Sequence, residues 1–256
     1  MILRSVTKHV KEQNWFAVVL DLVIVVFGVF IGIQVSNWNE ELAGETEAKV
    51  LTERIMADLK RDREVIAVLS DYRSVVKKYL ITTIKAYSNV NLVNNEQFVI
   101  AAYQASQITS SWSYRSTYTE LISTGKFNLI KDNNLKDKIL GFYSADWSVP
   151  PIGAIAVYRE YIRGLIPFVI QNAIRNECGD TYIIVADTYG YILPENCDLN
   201  LPEELFNETA SHLRSQPDML KKILYKISVH DSLLNNLADA DKEIIKLLSA
   251  IADYQP

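Results

Sequence analysis

The residues best equipped for chemistry in this chain do not converge on a catalytic set. Its three histidines, His9, His212 and His230, lie far apart in sequence. His230–Asp231 has the form of the pair at the core of metal phosphohydrolases, but the other histidine and aspartate positions that such a site needs have no candidates. A histidine in an apolar helical seam reads more simply as a hydrogen-bonded bundle residue. No Gly-rich phosphate loop, G-x-S-x-G elbow, H-E-x-x-H or C-x-x-C motif is present. Cys178 and Cys197 are the only cysteines and have no histidine near them, which argues against zinc. The expectation is a protein that is not an enzyme, with no cofactor and no metal.

Binding chemistry has better candidates. Trp112, Tyr114 and Tyr118 surround Arg115, and Tyr143 and Trp147 form a second aromatic group. Together they would line a ligand pocket in which Arg115 meets an anionic group. In the alternative, they are ordinary core and surface aromatics of a bundle. The pocket reading expects a cavity of roughly a few hundred Å³ beside Trp112, Arg115 and Trp147. Solid packing there would count against it.

Asp21 is the third chemical oddity, because it stands inside an apolar run. From Trp15 to Val35 the only strongly polar residues are Asp21 and Gln34. A helix of about 21 residues reaches roughly 31 Å, close to the hydrocarbon thickness of a bilayer. Trp15 and Trp38 bracket the run at depths that suit indole rings. Arg4, Lys8 and Lys11 precede it, whereas Glu40, Glu41, Glu45 and Glu47 follow it before Lys49. This asymmetry places residues 1–14 in the cytoplasm, a transmembrane helix at 15–38, and residues 39–256 in the periplasm of a bacterial inner membrane. A cleaved signal peptide would need a shorter core and a small-x-small site, and Glu41 occupies the position that should be small before Ala43–Gly44. At 100° per residue, Asp21, Gly28 and Gly32 share one helical face. Gly28 and Gly32 have the small-xxx-small spacing of closely packed membrane helices. A carboxylate is costly against lipid, so Asp21 faces a membrane protein partner, a second copy or a water-filled cleft, or else snorkels to the headgroups.

The end of this run, with Gln34, Asn37, Trp38, Asn39 and Glu40, resembles the signature of an uncharacterised family of small bacterial single-span membrane proteins, a domain of unknown function. In that family an acid opens the apolar run, and a Gly-x-x-I-x-x-Q-x-x-N-W-N-E pattern closes it. The stretch Glu120–Asp132 resembles a further segment of the same family. The resemblance implies an anchored bacterial envelope protein and carries no activity with it.

The rest of the chain reads as helix. Apolar residues recur at three- and four-residue steps over 45–88, and the mixed charges at 58–64 read as its solvated side. Turn residues at 88–95 end it, and a shorter helix is expected at 96–107. Thr117-x-x-Glu120 has capping-box spacing, Gly125 is placed to stop that helix, and Asp132–Asn134 starts another. A helix over about 153–176 would bend at Pro167. Between Cys178 and Cys197, β-branched and aromatic residues predict a hairpin that turns at Asp187–Gly190. Export makes a disulfide between the two cysteines the leading expectation, with two buried thiols as the alternative. Helices at 202–214 and from Pro217 to about 253 complete the chain. The last seam would pair with 45–88 inside one chain or form a coiled coil with another.

The expected fold is therefore mainly α: one N-terminal transmembrane helix plus an extracytoplasmic antiparallel helical bundle, with long first and last helices and a small disulfide-closed hairpin loop. A net charge of −5 argues against nucleic acid. The partners expected are the lipid bilayer and a membrane protein or second copy. An accessory or scaffold subunit of a membrane or envelope complex is the leading functional expectation, and an anchored periplasmic ligand-sensing domain is the alternative.

Overall fold

In a computed structural model, which describes residues 15–109, 113–145, 147 and 152–254, the chain is mainly helical. Its first element, α1 (Trp15–Ser88), is a single unbroken helix of 74 residues, about 110 Å long. The apolar run and the amphipathic stretch are thus one rod, because no proline interrupts them and glycine alone does not break a helix. Burial divides the rod. The apolar segment is long and apolar enough to cross a membrane, and none of it is buried inside the protein. Residues 36–43 remain exposed on every side, and burial begins at Ala48. From there Leu51, Ile55, Leu59, Val65, Leu69, Tyr72, Val76 and Leu80 form the stripe on which the domain is built.

The last helix, α8 (Met219–Ala252), runs antiparallel to α1. Three contacts fix the register: Arg63 pairs with Asp241 at 2.6 Å, Lys77 pairs with Asp231 at 2.7 Å, and the His230 ring nitrogen Nε2 donates to the Arg73 carbonyl at 2.6 Å. The intrachain pairing accounts for the apolar seam of α8, and His230 lies buried within it.

The elements between these helices fill two cores. Helix α2 (Asn95–Gln104) is capped by the Asn94 side chain, which accepts from the Gln97 N–H at 2.7 Å, and it is buried all round from Phe98 onward. With α5 (Ile152–Leu165), α6 (Phe168–Cys178), α7 (Glu203–Arg214) and the start of α8, it packs on Tyr72–Ala86 of α1. Pro167 separates α5 from α6 rather than bending one helix, since its ring removes a backbone donor there. The second core joins Leu51–Leu59 of α1 to α3 (Ser116–Ser123), a 3₁₀ turn (Lys126–Leu129), α4 (Asn133–Ser144) and the end of α8. Gly125 enters the 3₁₀ turn at φ 71°, in the left-handed region that glycine adopts without strain. The Asp132 side chain caps α4 by accepting from the N–H groups of Asn134 and Leu135.

Cys178 and Cys197 form a disulfide with a Cα–Cα distance of 5.6 Å. It closes a loop holding the antiparallel hairpin of β1 (Thr181–Val185) and β2 (Thr188–Ile192). The hairpin turns at Ala186–Asp187, two residues earlier than the sequence suggests. Both residues have positive φ, 47° and 64°, as a two-residue turn between right-twisted strands requires.

Lys226 and Arg73 face the α1–α8 seam without compensation. Lys226 is only 1% exposed, and its Nζ has no hydrogen-bond partner among the described residues; Nη1 of Arg73 is likewise buried without one. Burial, with Arg159 and Arg73 nearby, pulls the Lys226 amine down to about 7.

Two stability predictions follow from this packing. Between pH 7 and the ordinary lysine value near 10.5, the unfolded chain holds a proton that the folded chain lacks, so stability rises with pH across that window. Lys226→Met should stabilise the full chain in detergent by about a few kcal/mol at pH 7, and its advantage should vanish near pH 10.5, as read from urea midpoints. Replacing both cysteines by serine should cost about 3 kcal/mol in the same assay.

Candidate functional site

The two cores leave a seam between them. Val65, Leu69, Leu237 and Ala240 are buried there and belong to neither core. A cavity of about 230 Å³ opens at this seam. Its apolar floor is Val65, Ile66 and Leu69 of α1 with Leu237, Ala240 and Ile244 of α8, and Phe142 and Tyr143 of α4 form one wall. Asp62, Ser113, Arg115, Ala145 and Trp147 complete the lining.

The polar side of the cavity is held in place by two carboxylates on α1. Asp58 and Asp62 lie one turn apart and fall on the buried stripe, in phase with Ile55, Leu59 and Val65. They are not part of the solvated face that their mixed-charge neighbourhood suggests: Asp58 is 4% exposed and Asp62 is 3% exposed. Asp62 accepts from the Tyr114 N–H at 2.7 Å and from the Ser113 hydroxyl at 3.3 Å. Asp58 accepts a longer contact, 3.4 Å, from the Thr117 N–H in the first turn of α3. That helix has no side-chain cap of its own, so the capping-box expectation is replaced by a carboxylate from α1 at its positive end. Glu120, the expected box partner, instead makes a two-pronged ion pair with Arg54, with contacts of 2.6 and 3.1 Å.

Five of the six candidate pocket residues can be placed, and Trp112 lies outside the described residues. Arg115, Tyr143 and Trp147 line the cavity. Tyr118 sits behind Tyr143, stacked on it with ring centroids 4.5 Å apart. Tyr114 turns away, donating its hydroxyl to the Ala186 carbonyl at the hairpin tip, with the Arg61 guanidinium 5.7 Å from its ring. Trp147 packs against Phe142 and donates its indole N–H to the Phe142 carbonyl at 3.1 Å. Asp62 and Ser113 are the polar lining residues that sequence reading missed; the periodicity of α1 carried the signal for Asp62.

Three groups on this lining are incompletely partnered among the described residues. Among the described residues, neither Asp62 nor Arg115 forms an ion pair. The Tyr143 hydroxyl is buried and has no hydrogen-bond partner among the described residues. Burial pushes the Asp62 carboxyl up to about 6, against the pull of its two hydrogen bonds. Burial beside Asp62 and Asp58 also raises the Tyr143 hydroxyl, which stays protonated and able to donate.

Along the apolar part of α1, the glycines and the residues that follow them are open to the surroundings. A Cβ added at Gly28 or Gly32 would meet nothing within 4 Å, and Gln34, Asn37, Trp38, Asn39 and Glu40 are all exposed. Asp21 is half-buried on the same helix. No group of three or more histidine, cysteine, aspartate or glutamate side chains positioned to hold a metal ion occurs among the described residues. The fold and the site thus define a helical domain with one apolar helical extension and a small cavity at its seam. Comparison with protein-family models, with curated proteins and with solved structures finds no match.

The raised Asp62 carboxyl gives a signed pH prediction. Between the ordinary value near 3.8 and about 6, the folded chain holds a proton that the unfolded chain has released, so this group's contribution to stability falls as pH rises. Asp62→Asn should therefore gain on the native protein from pH 4 to pH 6 and hold a constant advantage above it. A change on the order of 2 kcal/mol in unfolding free energy across that window is expected.

Proposed function

We propose that this chain is a single-pass bacterial inner-membrane protein whose N-terminus is cytoplasmic and whose helical domain is periplasmic. It acts as an accessory or scaffold subunit of a membrane or envelope complex. The observation that carries this reading is the apolar part of α1: it is long enough to span a bilayer, unburied, and continuous with the first helix of the domain. Its charge asymmetry supports the orientation. The face bearing Asp21, Gly28 and Gly32 is the contact surface for a membrane partner or a second copy, because open glycine positions allow close helix approach. The resemblance of residues 28–40 to the signature of an uncharacterised single-span family agrees with this reading.

Gly28→Ile fills the groove without changing polarity, and Asp21→Leu removes the intramembrane acid. Each should dissociate a complex that the native chain forms in mild detergent, as read by native gels and by affinity purification with mass spectrometry. Unchanged assembly in both variants would overturn the reading.

The cavity favours a second reading, in which the periplasmic domain binds a small ligand. It has a volume of about 230 Å³, an apolar floor and a few polar groups, which is the usual make-up of a ligand site. The two readings are compatible, since the α1 part of the cavity floor and the apolar segment belong to one helix.

A further inference from the structure

The incompletely partnered groups around the cavity specify what it would hold. Asp62 presents a buried carboxylate that has two hydrogen-bond donors and feels the charge of Arg115, but forms no ion pair among the described residues. Arg115 is an exposed guanidinium at the mouth, 6.0 Å from the Tyr143 ring and without an ion pair among the described residues. Tyr143, 2% exposed, lines the void and carries a hydroxyl with no acceptor. A buried hydroxyl left unpaired is costly, and a buried carboxylate without an ion pair more so, so each is a standing preference for a complementary ligand group. Apart from Ser113, whose hydroxyl is donated to Asp62, the remaining described lining is aliphatic and aromatic. At about 230 Å³ the void is smaller than the roughly 300–1,000 Å³ of drug-sized sites, which limits the occupant to a small metabolite.

We propose that this cavity binds a small zwitterion with an apolar body, of the class of the apolar α-amino acids. The ligand ammonium pairs with Asp62, its carboxylate accepts from Arg115 and the Tyr143 hydroxyl, and its side chain lies on Val65, Leu69, Leu237 and Ile244. The inference rests on the reading of the cavity as a ligand site and adds the ligand's class to it. Asp62 and Arg115 act on each other without meeting in an ion pair, so a ligand carrying both an ammonium and a carboxylate can pair with each, whereas an amine or an acid can pair with only one.

The test uses the full chain in detergent micelles at pH 7.5, with binding read by calorimetry and by the shift in melting temperature. The probes are L-leucine and L-phenylalanine, with 3-methylbutylamine and 4-methylpentanoate as analogues that each lack one charge. At least one amino acid should bind and raise the melting temperature, and both analogues should bind at least tenfold more weakly. Tyr143→Phe removes only an unpartnered hydroxyl, so the empty variant should melt no lower than the native chain while binding the amino acid about tenfold more weakly. Arg115→Gln should weaken binding of the amino acid and leave binding of the amine unchanged. Equal binding of an amine or an acid would overturn the zwitterion and leave the cavity a ligand site. No response to any of the four probes would overturn both.

Discussion

The antiparallel pairing of α1 with α8 is the constraint on which the rest of the domain depends. A helix that continues for more than forty residues beyond an apolar segment must cover its apolar stripe or aggregate. Helix α8 supplies that cover along its 34 residues, in a register held by Arg63–Asp241, Lys77–Asp231 and the His230–Arg73 contact. The exposed ion pairs add little energy by themselves and serve mainly to fix phase. Stability comes from the apolar residues of the seam, and it has to outweigh the burial of Lys226 and Arg73 without counter-charges.

Two long helices side by side leave apolar surface along their length, and the chain covers it with short elements in two groups. One group packs on Tyr72–Ala86 and is tied down by the disulfide; the other packs on Leu51–Leu59. The groups do not meet fully around Asp62–Leu69, where the cavity lies. Asp58 and Asp62 bind the segment 113–117 across this gap, so the lining acquires its polar groups from the residues that close the seam. The cavity is therefore a product of the architecture: a stripe too long for one core is shared by two.

Most helices were legible because their signals are local. The three-and-four-residue periodicity of α1 and α8, the Asp132 cap, Gly125 and the turn residues after Ser88 each depend on a few neighbours in sequence. What escaped depends on partners far along the chain. Asp58 and Asp62 look solvated among Lys60, Arg61 and Arg63, and only their phase on the stripe marks them as buried. The capping box at Thr117 was misleading because Arg54 claims Glu120 and Asp58 reaches the first turn of the helix from 59 residues away. The hairpin turn moved to Ala186–Asp187 because strand pairing set its register, and pairing outweighs the local preference of Gly190 for a turn. Arg115, Tyr143 and Trp147 share the cavity through tertiary packing that no spacing rule encodes.

The continuity of α1 gives the domain a mechanical property that separate anchor and bundle helices would lack. Asp62 lies 27 residues beyond Val35, about 40 Å along one hydrogen-bonded helix. Residues 36–43 touch nothing else in the chain that buries them, so the domain meets the apolar segment through the helix backbone itself. An α-helix resists bending and twisting over this length far better than a loop does, since every turn is closed by its own hydrogen bonds. The small-residue face and the α1 part of the cavity floor thus lie on one continuous helix, with no loop or proline between them.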